Sequence, residues 1–168
     1  GGAGFIGTTL ATQLADRAES WVVLDNLHPQ VHPDSQPPAD LPDSVDLRVG
    51  DVTSADDLDA VVADLRPDTV VHLAAETGPA QSLSESPRHG MVNVVGTTQM
   101  LDALVRHEIR PDKIVLASSR AVYGEGKWID VAGHPSYPGQ RTHAMLEAGQ
   151  WDFTGLTPSV QSLSLIHI

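Results

Sequence analysis

Apolar positions recur along this chain with two periods, one helical and one of strand length. Ile6, Leu10, Ala11 and Leu14 fall on one face of a helix predicted over residues 5 to 17. Trp21-Val22-Val23-Leu24 is a short unbroken apolar run closed by Asp25, as a buried parallel strand reads. Residues 45 to 49 alternate and leave through Gly50-Asp51-Val52, a third strand if another precedes the chain. Ser54 then caps a helix carrying Leu58, Val61, Val62 and Leu65 at helical spacing, with Asp56 and Asp57 in its first turn and Pro67 ending it. Residues 69 to 75 form the next strand, and residues 86 to 107 a long helix with Met91, Val94, Val95, Leu101, Leu104 and Val105 expected inward. Residues 113 to 119 are the last strand, apolar until Ser118 and Ser119. Strand and helix alternating in this way predict a doubly wound parallel α/β sheet of Rossmann type, with helices on both faces.

Two stretches break the pattern. Residues 26–44 carry Pro29, Pro33, Pro37, Pro38 and Pro42 and read as a surface loop, with His28 and His32 solvated and no metal site expected. Residues 125–161 hold Gly126, Gly133, Pro135, Pro138 and Gly139 and read as a loop-rich insertion with a short helix near residues 142–150. Above the carboxyl edge of the sheet this insertion would suit a substrate lid, or it is a plain surface excursion. The sequence thus divides into residues 1–124, 125–161 and a tail from 162 to 168 that resembles sequencing-adaptor read-through and is expected to be non-native.

The chemistry centres on Gly1-Gly2-Ala3-Gly4-Phe5-Ile6-Gly7. Gly1, Gly4 and Gly7 lack a Cβ, which permits unusual dihedrals and lets backbone N–H groups reach an anion at the positive end of the following helix. Such a loop follows a buried strand, and none precedes Gly1, so the chain is expected to be a fragment truncated before its first strand. Asp25 lies eighteen residues after Gly7, close to the spacing at which a carboxylate takes the adenosine ribose hydroxyls of a dinucleotide. Asp51 either reaches an adenine or caps its own turn, and Asn93 either bonds a neighbouring loop or floors a cofactor site.

Composition narrows the partners. The chain has 168 residues, 40% of them hydrophobic, enough for one core. Its net charge of −12 disfavours nucleic acid or an anionic membrane, since both need clustered Lys and Arg. No apolar run reaches the length of a membrane span. The absence of cysteine excludes disulfides and thiolate metal sites and fits a cytoplasmic protein.

Six ordered motifs now stand together: the glycine loop, Leu24-Asp25-Asn26, Gly50-Asp51-Val52, His72-Leu73-Ala74-Ala75, Asn93-Val94-Val95-Gly96-Thr97 and Ser118-Ser119-Arg120-Ala121-Val122-Tyr123-Gly124. Over residues 1 to 124 they resemble the N-terminal half of an extended short-chain dehydrogenase/reductase, nearest to the NAD-dependent nucleotide-sugar epimerase/dehydratase family. The resemblance implies NAD as cofactor, a nucleotide-sugar substrate and a C-terminal substrate domain beyond residue 168; the parent is expected to be a homodimer. It implies that Phe5 and Ile6 meet the pyrophosphate, that Asp25 and Asn26 hold the ribose and that Asp51 and Val52 flank the adenine. Leu73, Ala74, Ala75, Thr77, Asn93 and Ser118 would line the rest of the cofactor, and Ser119 would be the catalytic hydroxyl.

The family's base is the tyrosine of a helical Tyr-x-x-x-Lys pair, its pKa lowered by the lysine. Tyr123 with Lys127 and Tyr137 with Arg141 match the spacing or come near it, but the glycines and proline between them oppose a helix, so the true pair is expected beyond Ile168. Sugar dehydratases of the family carry Asp-Glu after the catalytic hydroxyl. Arg120-Ala121 stands there instead, favouring an epimerase over a dehydratase; a one-way reductase or dehydrogenase and a non-catalytic NAD sensor stay open as alternatives.

Overall fold

The computed structural model describes residues 1–119, 122 and 124–162. Arg120, Ala121, Tyr123 and residues 163–168 lie outside the described residues, and with them Tyr123 as a candidate base and all of the suspected tail after Ser162. The chain forms two compact units, Gly1–Ala117 and the segment from Ser118 onward.

In the first unit α1 (Phe5–Leu14) continues as a single 3₁₀ turn to Arg17. Next come β1 (Val22–Asp25), β2 (Asp46–Val49), α2 (Ala55–Leu65) and β3 (Thr69–His72). A helical stretch follows from α3 (Pro79–Ser84) and α4 (Ser86–Gly90) through a π-helical segment, Met91–Gly96, into α5 (Thr97–Arg106), and β4 (Lys113–Leu116) closes the unit. β1 pairs in parallel with β2, and β3 with β4. These are two separate two-stranded sheets, so β1 and β3 each carry one unpaired edge. The first residues of the chain sit between their carboxyl ends: Gly1 donates to the Leu24 carbonyl at 2.9 Å, and a Cβ on Gly1 would fall 2.4 Å from the Ala74 Cα.

Two cores hold the unit. Ala3, Ala11, Ala15, Val23, Leu27 and Val45 pack beneath α1, while Leu58, Val62, Met100, Ala103, Leu104 and Ile109 join α2 to α5. The Ser54 hydroxyl caps α2 by accepting from the Asp57 N–H at 3.2 Å, and Arg66 ends the helix at a left-handed φ of 47° just before Pro67.

Three expectations about burial are corrected. Ile6 is 57% exposed, because α1 turns Gly7, Thr8 and Ala11 inward instead. Met91, Val94, Leu101 and Val105 are also exposed, while Met100, Ala103 and Leu104 face α2. One residue of α-helix turns about 100°, so the wider π turn displaces the inward face that a single 3.6-residue period predicts. His32, read as solvated, is buried, because the turn from His28 to His32 folds back beneath Asp25.

The second unit holds more order than its glycines and prolines suggested. β5 (Gly126–Asp130) is the centre of an antiparallel sheet ordered β6 (Pro135–Ser136), β5, β7 (Leu156–Ser162), with α6 (His143–Glu147) between β6 and β7. Gly126 and Gly133 take positive φ, the first where the register of β5 against β7 shifts and the second in the turn from β5 to β6, so these glycines shape the sheet rather than dissolve it. Trp128 is buried, edge-on to Phe153 with ring centres 5.2 Å apart, and Arg141 lies 4.9 Å over the Phe153 ring.

Candidate dinucleotide site

The glycine loop is held by contact rather than by unusual dihedrals. None of its glycines adopts a positive φ, contrary to that part of the sequence argument. A Cβ on Gly7 would lie 2.1 Å from the Gly2 carbonyl oxygen, and one on Gly2 would meet Val23 at 2.9 Å. Glycine there lets α1 press onto the loop. Gly4 is the N-cap and offers no side-chain acceptor, so the first-turn N–H groups of Phe5, Ile6 and Gly7 have no intrahelical partner. With the helix dipole behind them they form an anion-binding end.

Asp25 is buried behind this loop. Its Oδ2 accepts the Ala3 N–H at 3.0 Å and lies 3.2 Å from the Gly1 ammonium; its Oδ1 accepts the Leu27 N–H at 2.8 Å and lies 3.7 Å from His32 Nε2. Burial acts to raise its pKa, but the ammonium and the two N–H groups outweigh it, and the carboxyl titrates below its usual range. Asn26 donates to Asp51 Oδ2 at 2.9 Å, and Asp51 Oδ1 accepts both the N–H and the hydroxyl of Thr53. Asp51 therefore caps its own turn and also ties the exit of β2 to that of β1. Val52 packs against Gly96, where a Cβ would come within 2.7 Å.

Beyond β3, Leu73, Ala74, Ala75 and Thr77 run as irregular backbone. Asn93 grips this segment with its amide: Oδ1 accepts the Glu76 N–H at 2.7 Å, and Nδ2 donates to the Glu76 carbonyl at 3.0 Å. Of the two roles open from sequence, it performs the loop-bonding one, on the loop that leads to Thr77. Gln30 donates to Gln81 at 3.1 Å and Arg88 pairs with Glu76 at 3.1 Å, joining the loop after β1 to the segment after β3 and bracing that segment. No periodic or motif signal marks Gln30, Glu76, Gln81 or Arg88, because their partners are distant along the chain.

Ser118 and Ser119 are exposed and open the second unit directly after β4 in the chain. The Ser119 carbonyl accepts the Val122 N–H at 3.2 Å. Tyr137 is 72% exposed on irregular backbone, so the Tyr137–Arg141 spacing is not helical. Among the described residues no group of three or more His, Asp or Glu could hold a metal ion, and no helix is long and apolar enough to cross a membrane.

The profile of the NAD-dependent epimerase/dehydratase family matches residues 1–159. The chain belongs to that family. It is 54% identical over 157 residues to the dTDP-L-rhamnose 4-epimerase of Burkholderia thailandensis, covering 94% of this chain and 43% of that protein. UDP-glucose 4-epimerase 3 of Oryza sativa subsp. japonica is 33% identical over 131 residues, covering 74% of this chain and 34% of the relative. Among solved structures, the UDP-glucose 4-epimerase of Thermus thermophilus in complex with NAD superposes with a TM-score of 0.62 at 26% identity, over 85% of this chain and 40% of that one. This chain therefore spans about two-fifths of the length of such relatives, and its parallel α/β unit is a Rossmann fold.

The family's cofactor is NAD, and the residues present fit it. A cradle that a Cβ on Gly1, Gly2 or Gly7 would fill, an uncapped helix end and a carboxylate at the end of the neighbouring strand answer to a pyrophosphate and a ribose. No Lys or Arg occurs between Arg17 and Arg48, so the loop after β1 has no permanent cation of its own to offer a 2′-phosphate.

Proposed function

We propose that this chain is the cofactor-binding part of an NAD-dependent nucleotide-sugar 4-epimerase. The observation that carries the reading is the uncapped start of α1 against a loop in which Gly1, Gly2 and Gly7 leave no room for a Cβ, with Asp25 fixed behind it. The N–H groups of Phe5 and Ile6 hold the pyrophosphate beside Gly1, Gly4 and Gly7. Asp25 and Asn26 face the adenosine ribose, and Asp51 and Val52 border the adenine. Leu73, Ala74, Ala75 and Thr77 line the remainder, on a backbone that Asn93 fixes at Glu76. NAD supplies reversible hydride acceptance at C4 of the sugar. Ser119 donates a hydrogen bond to the reacting oxygen.

The identity to a dTDP-L-rhamnose 4-epimerase supports a deoxythymidine-diphosphate 6-deoxyhexose as substrate in preference to UDP-glucose. The exposed stripe of Val94, Leu101 and Val105 supports a homodimeric parent, and the nucleotide-sugar substrate and lack of cysteine support a cytoplasmic one. The test is an assay of the full-length natural protein with dTDP-L-rhamnose and with UDP-glucose. Inversion at C4 without net oxidation is the expected result, faster with the first. No inversion of any nucleotide sugar, with NAD bound, would overturn the catalytic reading.

A further inference from the structure

His72 ends β3 with its ring buried, and its Nε2 lies 3.0 Å from the Thr97 hydroxyl oxygen. The Thr97 hydroxyl is in turn 2.8 Å from the Asn93 carbonyl. A carbonyl only accepts, so the single hydroxyl proton of Thr97 points to Asn93, and the imidazole must carry its own proton on Nε2. The hydrogen bonds then run in one direction, from the end of β3 into the π-helical segment.

That segment needs such support. A π turn is less favourable than an α turn, and Met91–Gly96 sits between α-helical residues on both sides. Relaxing it to an α-helix would rotate Asn93 relative to α5, because the extra residue a π turn accommodates offsets the helix face by up to about 100° across the segment. Asn93 would then lose both of its bonds to the Glu76 backbone, which hold the segment leading to Thr77.

We propose that His72 and Thr97 are positioning residues: their hydrogen bond holds the π segment in register, so that Asn93 stays locked on Glu76 and the cofactor-lining backbone is preformed. This rests on the dinucleotide reading of the site.

The experiment is amide hydrogen exchange and NAD titration on the full-length natural protein, together with its Thr97→Val and Thr97→Ser variants. Glu76 exchange is expected to quicken at least tenfold in Thr97→Val and to stay within about threefold of wild type in Thr97→Ser, while amides of β1 and β2 do not change. NAD affinity should follow, falling about tenfold only in the valine variant. Unchanged Glu76 protection, or a uniform rise across all strands, would overturn the proposal. Wild-type ¹⁵N shifts of the His72 ring give a check that needs no variant: Nε2 must be the protonated nitrogen, and an Nδ1–H tautomer would overturn it. If the wild-type full-length protein does not bind NAD, the dinucleotide reading of this site falls, and the exchange and tautomer data decide the positioning claim by themselves.

Discussion

Asp25 Oδ2 accepts the backbone N–H of Ala3 at 3.0 Å, so the carboxylate that ends β1 is part of the glycine loop's own scaffold. Replacing it with Asn puts an amide where two backbone donors and an ammonium converge, and at least one buried donor loses its acceptor. Asp25→Asn should cost about 1–3 kcal/mol. Denaturant unfolding of the chain checks this, and an unchanged midpoint would show that the loop does not depend on the carboxylate.

Gly7 and Gly139 should respond in opposite ways to alanine. A Cβ on Gly7 would press to 2.1 Å from the Gly2 carbonyl, whereas one on Gly139 would meet nothing within 4 Å. Gly7→Ala should forfeit about 1–3 kcal/mol or more by forcing α1 off the loop, and Gly139→Ala should shift the melting temperature little. Equal melting temperatures would contradict the close approach of α1.

His72 makes the fold sensitive to mild acid. Burial lowers its pKa below 6.5, and the Gly1 ammonium adds to the effect, so the unfolded chain takes up the proton more readily. The stabilisation from a neutral His72 is complete above pH 6.5 and is lost as pH falls through the folded value. Stability curves of wild type and His72→Gln should therefore converge as pH falls below 6.5. Curves that remain parallel over that window would argue against a neutral, buried ring.

In the second unit, Arg141 forms a buried ion pair with Glu125 and also donates to the Trp151 carbonyl at 2.7 Å. Arg141→Met leaves the Glu125 carboxylate buried alone and should cost about 3–5 kcal/mol locally, whereas the double change Glu125→Leu with Arg141→Met should recover much of it. The indole N–H signal of Trp128, which donates to the Glu125 carbonyl at 3.0 Å, reports the loss. No recovery in the double variant would assign the cost to the lost Trp151 and Phe153 contacts instead.

For the full-length protein, Ser119→Ala should lower turnover by roughly ten- to a thousand-fold with NAD affinity kept, since it removes one donor to a reacting oxygen. Ser118→Ala should cost less. Steady-state kinetics with NAD titration separate the two, and equal losses would mean that the roles of the serines are wrongly divided.

Residue order alone carries the alternation of strand and helix, the glycine loop and the strand-end carboxylate, since those features depend on local period and on spacing along one chain. Ser54 as a cap, the stop at Pro67 and the proline-rich loop over residues 26–44 belong to the same class. Which face of residues 91–106 turns inward is a tertiary matter, because one π turn shifts the register without altering the apolar count. So are the burial of His32, the grip of Asn93 on Glu76, and the sheet that residues 126–162 form around Trp128. Each of these depends on a partner beyond one helical or strand period, seven residues for His32 with Asp25 and 17 for Asn93 with Glu76, or on strand pairing across turns, and neither is written in local hydrophobic periodicity.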